Sequence, residues 1–290
     1  MFVDKLLHIT HAMENNQRRL DLEKFYLDVF AAQTFFDARP AQGLERDETL
    51  ILIGKTQLIP QAPSDENAPV AKAIQAYAPG LKGMAVKVAD LRKVDAHMVR
   101  HGLHLNYTDP MFRDVFFLTR PEETFNFPVE FCQVEMPNDL RLRPQWSAEW
   151  WRDVHPLGIE KLSSIEVVNA DLEAAKKFYR EVFELQLIHE GTLEAEGAKV
   201  AAFFAGDFVL EVLQPISKST PLADLLAKRA GGIYALSFKV KSTAKAADYL
   251  KSKNLRLLGD TSRRFSIDPR DAFGARYTFV AEELPNDPRA

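Results

Sequence analysis

The sequence predicts an α+β protein in which four strand–helix–strands units, each of βαβββ type, pair into two domains in tandem. Three observations carry this prediction: an internal repeat, a helical periodicity within it, and matched helix ends later in each copy. The repeat reads Phe-Tyr-x-x-Val-Phe, at residues 25–30 and again at 178–183. In the first copy Leu22, Phe25, Tyr26, Val29 and Phe30 fall at i, i+3, i+4, i+7 and i+8, one face of an amphipathic helix.

The remaining elements follow in order. Strand-like runs at residues 5–13 and 161–168 precede the two helices, and others at 33–36 and 185–189 follow them. Longer apolar runs at 49–58 and 199–213 complete each first unit. The second units begin with strands at 81–88 and 233–240, each leading into a helix that ends near Gly102 or Asn254. Gly and Asn tolerate the left-handed conformation that closes a helix. β-rich remainders follow at 114–133 and 263–281. The expected domains are therefore 1–137 and 158–290, joined by a linker at 138–157. That linker holds Pro144, Pro156 and all three tryptophans, Trp146, Trp150 and Trp151. It reads as a short helix whose aromatic side chains pack between domains; the competing reading has them line a ligand cavity.

A chain of 290 residues has room for two such domains, and 46% hydrophobic with 27% charged residues supplies an ample core. A net charge of −4 and a pI near 6.0 leave no basic footprint for nucleic acid. No apolar stretch reaches the length of a membrane span. The opening Met1-Phe-Val-Asp-Lys-Leu-Leu-His lacks the pattern of a signal peptide, so a cytoplasmic location is expected. Cys132 is the single cysteine and cannot form an intramolecular bridge. Dinucleotide, Walker and nucleophile-elbow motifs are missing.

Four stretches carry a resemblance: Leu6-Leu-His-Ile, Asp171-Leu-Glu-Ala-Ala-Lys-Lys-Phe-Tyr, Leu236-Ser-Phe-Lys-Val and Asp268-Pro-Arg-Asp-Ala-Phe-Gly. With the four-unit plan they resemble the vicinal oxygen chelate superfamily of glyoxalases, bleomycin-resistance proteins and ring-cleaving dioxygenases, over nearly the whole chain. The last stretch resembles the final hairpin of methylmalonyl-CoA epimerase-like members, and the length resembles two-domain extradiol dioxygenases. The resemblance implies two glyoxalase-like, cup-shaped domains, each a pair of modules around a cavity. Such a cavity typically holds a divalent metal, with ligands converging from the first and last strands of each module.

Carried over position by position, the resemblance puts His8 at the first histidine of domain one and Glu130 at its last carboxylate. Between them, Gln57 or Gln61 offers a neutral oxygen, or Ile59 takes the position and offers nothing; Gly83 stands where a second histidine is expected. In domain two the four positions hold Ser164, Glu211, Ala235 and Thr278. One carboxylate does not make a transition-metal site, so domain two is expected to be metal-free and extradiol iron chemistry is disfavoured.

Two readings of function stand side by side. In the first, an enzyme acts on an aromatic or oxygenated small molecule in the domain-one cavity as an isomerase, lyase or dioxygenase-like catalyst. His8 and Glu130 then serve as acid–base pair, or with Gln57 as ligands to one divalent Fe, Zn, Mn or Ni, and Gln61 assists; a metal-free site is the alternative. A carboxylate beside His8 would raise its pKa. In domain two, Glu211 and Tyr234 with Ser164 line a polar wall and contact substrate. In the second reading the protein binds a hydrophobic ligand without turnover. His11 points away from His8 on a straight strand, while His97 and His101 share a helix face without a third ligand; His104 and His189 have no evident partners. No nucleic-acid or membrane partner is expected, and a homodimer stays open.

Overall fold

The computed structural model describes residues 2–41, 45–107, 114–135 and 138–290. The repeat becomes two sheets built alike. In the first half β1 (Val3–Ala12), α1 (Asn16–Phe30), β2 (Gln33–Ala41), β3 (Arg46–Ile53) and β4 (Thr56–Pro63) form one module. After α2 (Pro69–Tyr77), a second follows: β5 (Gly80–Val88), α3 (Leu91–Arg100), β6 (Leu105–Asn106), β7 (Phe116–Thr119) and β8 (Val129–Cys132). Together they make an eight-stranded sheet of order β2-β3-β4-β1-β5-β8-β7-β6.

The second half repeats this after the short helix α4 (Glu149–Asp153). Its elements are β9 (Ile159–Val168), α5 (Leu172–Glu181), β10 (Gln186–Leu193), β11 (Ala198–Ala205), β12 (Phe208–Pro215) and α6 (Pro221–Arg229). They continue with β13 (Gly232–Val240), α7 (Thr243–Ser252), β14 (Leu257–Asp260), β15 (Arg264–Ile267) and β16 (Tyr277–Val280). The order, β10-β11-β12-β9-β13-β16-β15-β14, matches the first sheet strand for strand.

Local chemistry sets the helix ends. Asn15 and Asp171 cap α1 and α5 by accepting from the backbone N–H of Arg18 and Ala174. Past α3 and α7, Gly102 (φ 82°) and Asn254 (φ 62°) adopt the left-handed conformation expected of them.

Each sheet turns one face inward to its cup and the other toward helices. On β9, Ile165 and Val167 join the main core while Ser164 and Glu166 face the other way, as strand alternation requires. That core runs through both halves. Phe30, at the end of α1, meets Phe238 and Phe279 of the second sheet, with ring centroids 6.1 and 6.4 Å apart. Reciprocally, Phe183, just past α5, meets Phe131 of the first sheet at 5.5 Å. The two repeat helices are thus shared between sheets, and burying a Phe side chain of this kind contributes about 1.5–3 kcal/mol.

The linker contributes to the same core. Trp151 is buried and donates from Nε1 to the Phe30 carbonyl at 2.8 Å. Trp150 stacks on its edge at the surface, so the packing reading applies to Trp151 above all. His11 is likewise structural. Its Nε2 donates to the Phe273 carbonyl at 3.0 Å, so Nδ1 is the acceptor that faces the Tyr26 and Tyr277 hydroxyls at 2.7 and 3.1 Å. This buried knot ties β1 and α1 to the second domain. No described helix is long and apolar enough to cross a membrane.

Candidate active site

Each cup has a cavity, and the strand register fixes what lines it. In the first sheet His8 pairs with Ala85 on β5, and Ala85 with Glu130 on β8. His8 and Glu130 therefore lie in one lateral row, two strand spacings (about 9–10 Å) apart at the backbone. Both line a cavity of about 570 Å³ that Gln61 and Ile59 also border. Both also line an adjoining chamber of about 320 Å³ with Gln57 on its wall.

Electrostatics in this cup run against the expected pairing. Burial, then the Arg46 and Arg141 guanidinium groups, lower the His8 pKa to about 3. The anticipated upward pull of Glu130 does not prevail, because burial raises the Glu130 pKa and so favours its neutral form. The Cys132 thiol donates to Glu130 Oε1 at 2.9 Å. The Gln57 Oε1 accepts from Arg141 Nη2 at 3.0 Å, which commits the oxygen that a metal would need. Of the other histidines, His97 bonds the Val182 carbonyl of the second domain at 2.9 Å, and His104 pairs with Glu123.

The second cup is more densely polar. Ser164, Ser237, Thr278 and Ser266 stand opposite one another across β9, β13, β16 and β15, a continuous row of four hydroxyls. The neighbouring row brings Glu211 on β12 beside Glu166 on β9. Ser164 donates to Glu211 and Ser237 to Glu166. Arg264 reaches in from β15 and donates from Nη2 to Glu166 at 2.8 Å, with its Nε 3.6 Å from Glu196. Tyr234 donates to Glu196 at 2.8 Å, and the Arg276 guanidinium lies over the Tyr234 ring at 4.8 Å. Ser164, Glu211, Ser237, Arg264 and Arg276 all line a cavity of about 880 Å³. Tyr234 stands behind Arg276 as its support.

Burial and the neighbouring Glu166 push the Glu211 pKa up to about 7, against the Ser164 bond and Arg264. Burial alone would weaken the Arg264 charge, yet Glu166, Glu211 and Glu196 outweigh it and hold its pKa above the ordinary value. Four buried polar atoms cluster at this floor without a hydrogen-bond partner: Glu166 Oε2, Arg264 Nε, Arg276 Nε and Thr278 Oγ1.

Neither cup's donor set fits a transition metal. In the first, Ile59 and Gly83 supply nothing, and any side chain at Gly83 would put its Cβ 2.7 Å from the Pro128 carbonyl oxygen. In the second, Glu211 is the sole carboxylate among the four ligand positions, and a fixed guanidinium already supplies cationic charge. Among the described residues no group of three or more His, Cys, Asp or Glu side chains converges as a metal site.

Sequence reading singled out His8, Gln57, Gln61, Glu130, Glu211 and Tyr234, and passed over Glu166, Ser237, Arg264, Ser266 and Arg276. A signal for these existed. Ser164/Glu166, Arg264/Ser266 and Arg276/Thr278 are polar pairs at a spacing of two in strand-like stretches, which places each pair on one face.

Two open-cup sheets of identical order, each lined from its inner strands, define a tandem two-domain protein of the vicinal oxygen chelate fold. Residues 161–288 match the family model of the Glyoxalase/Bleomycin resistance protein/Dioxygenase superfamily, and the first half repeats the architecture of that matched segment. Mitochondrial methylmalonyl-CoA epimerase of Mus musculus is 31% identical over 104 residues, covering 36% of this chain and 58% of that protein. The chain therefore spans under two thirds of that relative. An uncharacterized Bacillus subtilis protein is 24% identical over 115 residues, 40% of this chain and 82% of its own. A mutant of 4-hydroxymandelate synthase from Streptomyces coelicolor superposes with a TM-score of 0.74 over 98% of this chain and 95% of its own. At 14% identity that likeness speaks for the fold alone.

Proposed function

We propose that the protein is an enzyme that moves a proton on a small organic oxyanion held in the second cup, with Glu211 as acid–base group and no divalent metal. One observation carries the reading. Glu211 lines the cavity with Ser164 donating to one of its oxygens and a pKa near 7. A carboxyl poised close to neutrality both accepts and returns a proton efficiently. The guanidinium groups of Arg264 and Arg276 are the cations at hand to stabilise negative charge on a bound ligand. The mammalian relative is named a methylmalonyl-CoA epimerase, and an epimerisation or related isomerisation is the reaction type this supports here.

The first cup suits this chemistry less well. An imidazole with a pKa about 3 is a weak base, and the carboxyl opposite is already engaged by a thiol. The test uses chelator-treated protein in D₂O with a panel of 2-oxo acids and acyl-CoA thioesters, read by proton NMR. Loss of the C–H signal next to the carbonyl is expected, slowed by about 10²–10⁴-fold in Glu211→Gln. Binding without exchange across the panel overturns the reading in favour of a non-catalytic binder, and exchange undiminished in the variant overturns the role given to Glu211.

A further inference from the structure

The cations of the second cup are not equivalent. Arg264 is compensated by Glu166 at 2.8 Å and by Glu196 at 3.6 Å. Arg276 has no ion pair among the described residues. Its Nη1 donates to the Ser266 hydroxyl at 2.8 Å, its plane rests on the Tyr234 ring, and its Nε is buried without a partner. A guanidinium braced from two sides by neutral groups is a preorganised fork for a planar oxyanion.

Register gives the spacing to the acid–base group. Glu211 stands beside Glu166, and Glu166 opposite Ala235 on β13. The Leu236 N–H donates to the Arg276 carbonyl, which puts Arg276, the residue just before β16, next across. Three strand spacings, about 14 Å at the backbone, separate Glu211 from Arg276. Both side chains project over a concave floor onto one cavity. The space between them suits a carboxylate and one further substituted carbon.

We propose that the second cup binds small carboxylic acids bearing a hydroxyl or amino group on the carbon next to the carboxylate, with Arg276 gripping the carboxylate and Glu211 meeting the neighbouring group. The inference rests on the second cup being the working site and adds the class of ligand. Leu193 and Leu284, which also line this cavity, offer apolar surface to a side chain.

The test is calorimetric binding of a matched series: 2-hydroxy-4-methylpentanoate, leucine, 4-methylpentanoate and leucine methyl ester. The 2-hydroxy or the 2-amino acid is expected to bind at least about tenfold more tightly than the unsubstituted acid, and the comparison between them identifies which donor is used. Arg276→Met is expected to weaken binding by about 10- to 100-fold, with Arg276→Lys between. The methyl ester removes the carboxylate charge without touching the protein, and is expected to lose binding to a similar degree. Binding that ignores both Arg276→Met and esterification overturns the proposal even if Glu211-dependent exchange occurs. Binding that depends on both supports it even if Glu211→Gln leaves exchange unchanged.

Discussion

Replacing Glu211 by Gln separates the charge of this buried carboxyl from its shape. The group is 4% exposed, and its pKa rises from 4.5 to about 7 through burial and the adjacent Glu166. A folded-state pKa above the unfolded value means that stability is fully present below about pH 4.5 and is lost as pH climbs through about 7. A shift of this size corresponds to about 3 kcal/mol once both states are ionised. Gln carries no charge, and its amide oxygen still accepts from Ser164. Glu211→Gln is therefore expected to match the parent near pH 5 and to exceed its stability by about 2–3 kcal/mol near pH 9. Urea unfolding followed by circular dichroism at the two pH values measures the gap between the two proteins, so titrations shared by both cancel. A gap that stays constant within about 0.5 kcal/mol would refute the account of how the cup sets this carboxyl.

Two further expectations concern the contact between domains. Gly206 has φ 73°, and a Cβ there would lie 2.2 Å from the Asp4 carbonyl oxygen, so Gly206→Ala should cost more than about 2 kcal/mol in thermal or urea unfolding; a stability within about 0.5 kcal/mol of the parent would mean that β1 does not seat on this turn. His11 titrates in the opposite direction to Glu211. Burial first, then Lys82, lower its pKa from 6.5 to about 4, against the Phe273 bond, so its stabilisation is lost as pH falls between those values. His11→Asn should remove about 3 kcal/mol of the acid-induced loss between pH 7 and pH 4, and an unchanged acid profile would count against the buried knot.

Much of the architecture was legible because it is local. The Phe-Tyr-x-x-Val-Phe faces became the two shared helices, and Gly102 and Asn254 close α3 and α7 as their residue types dictate. His8 and Glu130 fall in one lateral row and line one cavity. The charge state of that pair was not legible. It follows from burial and from Arg46 and Arg141, which come from β3 and from the linker. Nor did Gln57 declare its engagement with Arg141, 84 residues further along the chain.

The sequence by itself determined the repeat, the helix faces and the ends of the elements, because each depends on neighbours a few residues away. It also determined which residue types stand at the ligand positions of each cup. Only the tertiary structure decided that Glu166, Glu211, Arg264 and Arg276 meet. They come from β9, β12, β15 and the residue that leads into β16, strands that lie in one sheet through crossovers that no local pattern encodes. An alternating polar residue reads the same in sequence whether its strand faces water or a closed cup. Burial beside other charges is what turns these alternations into a site, and burial is a property of the assembled sheet.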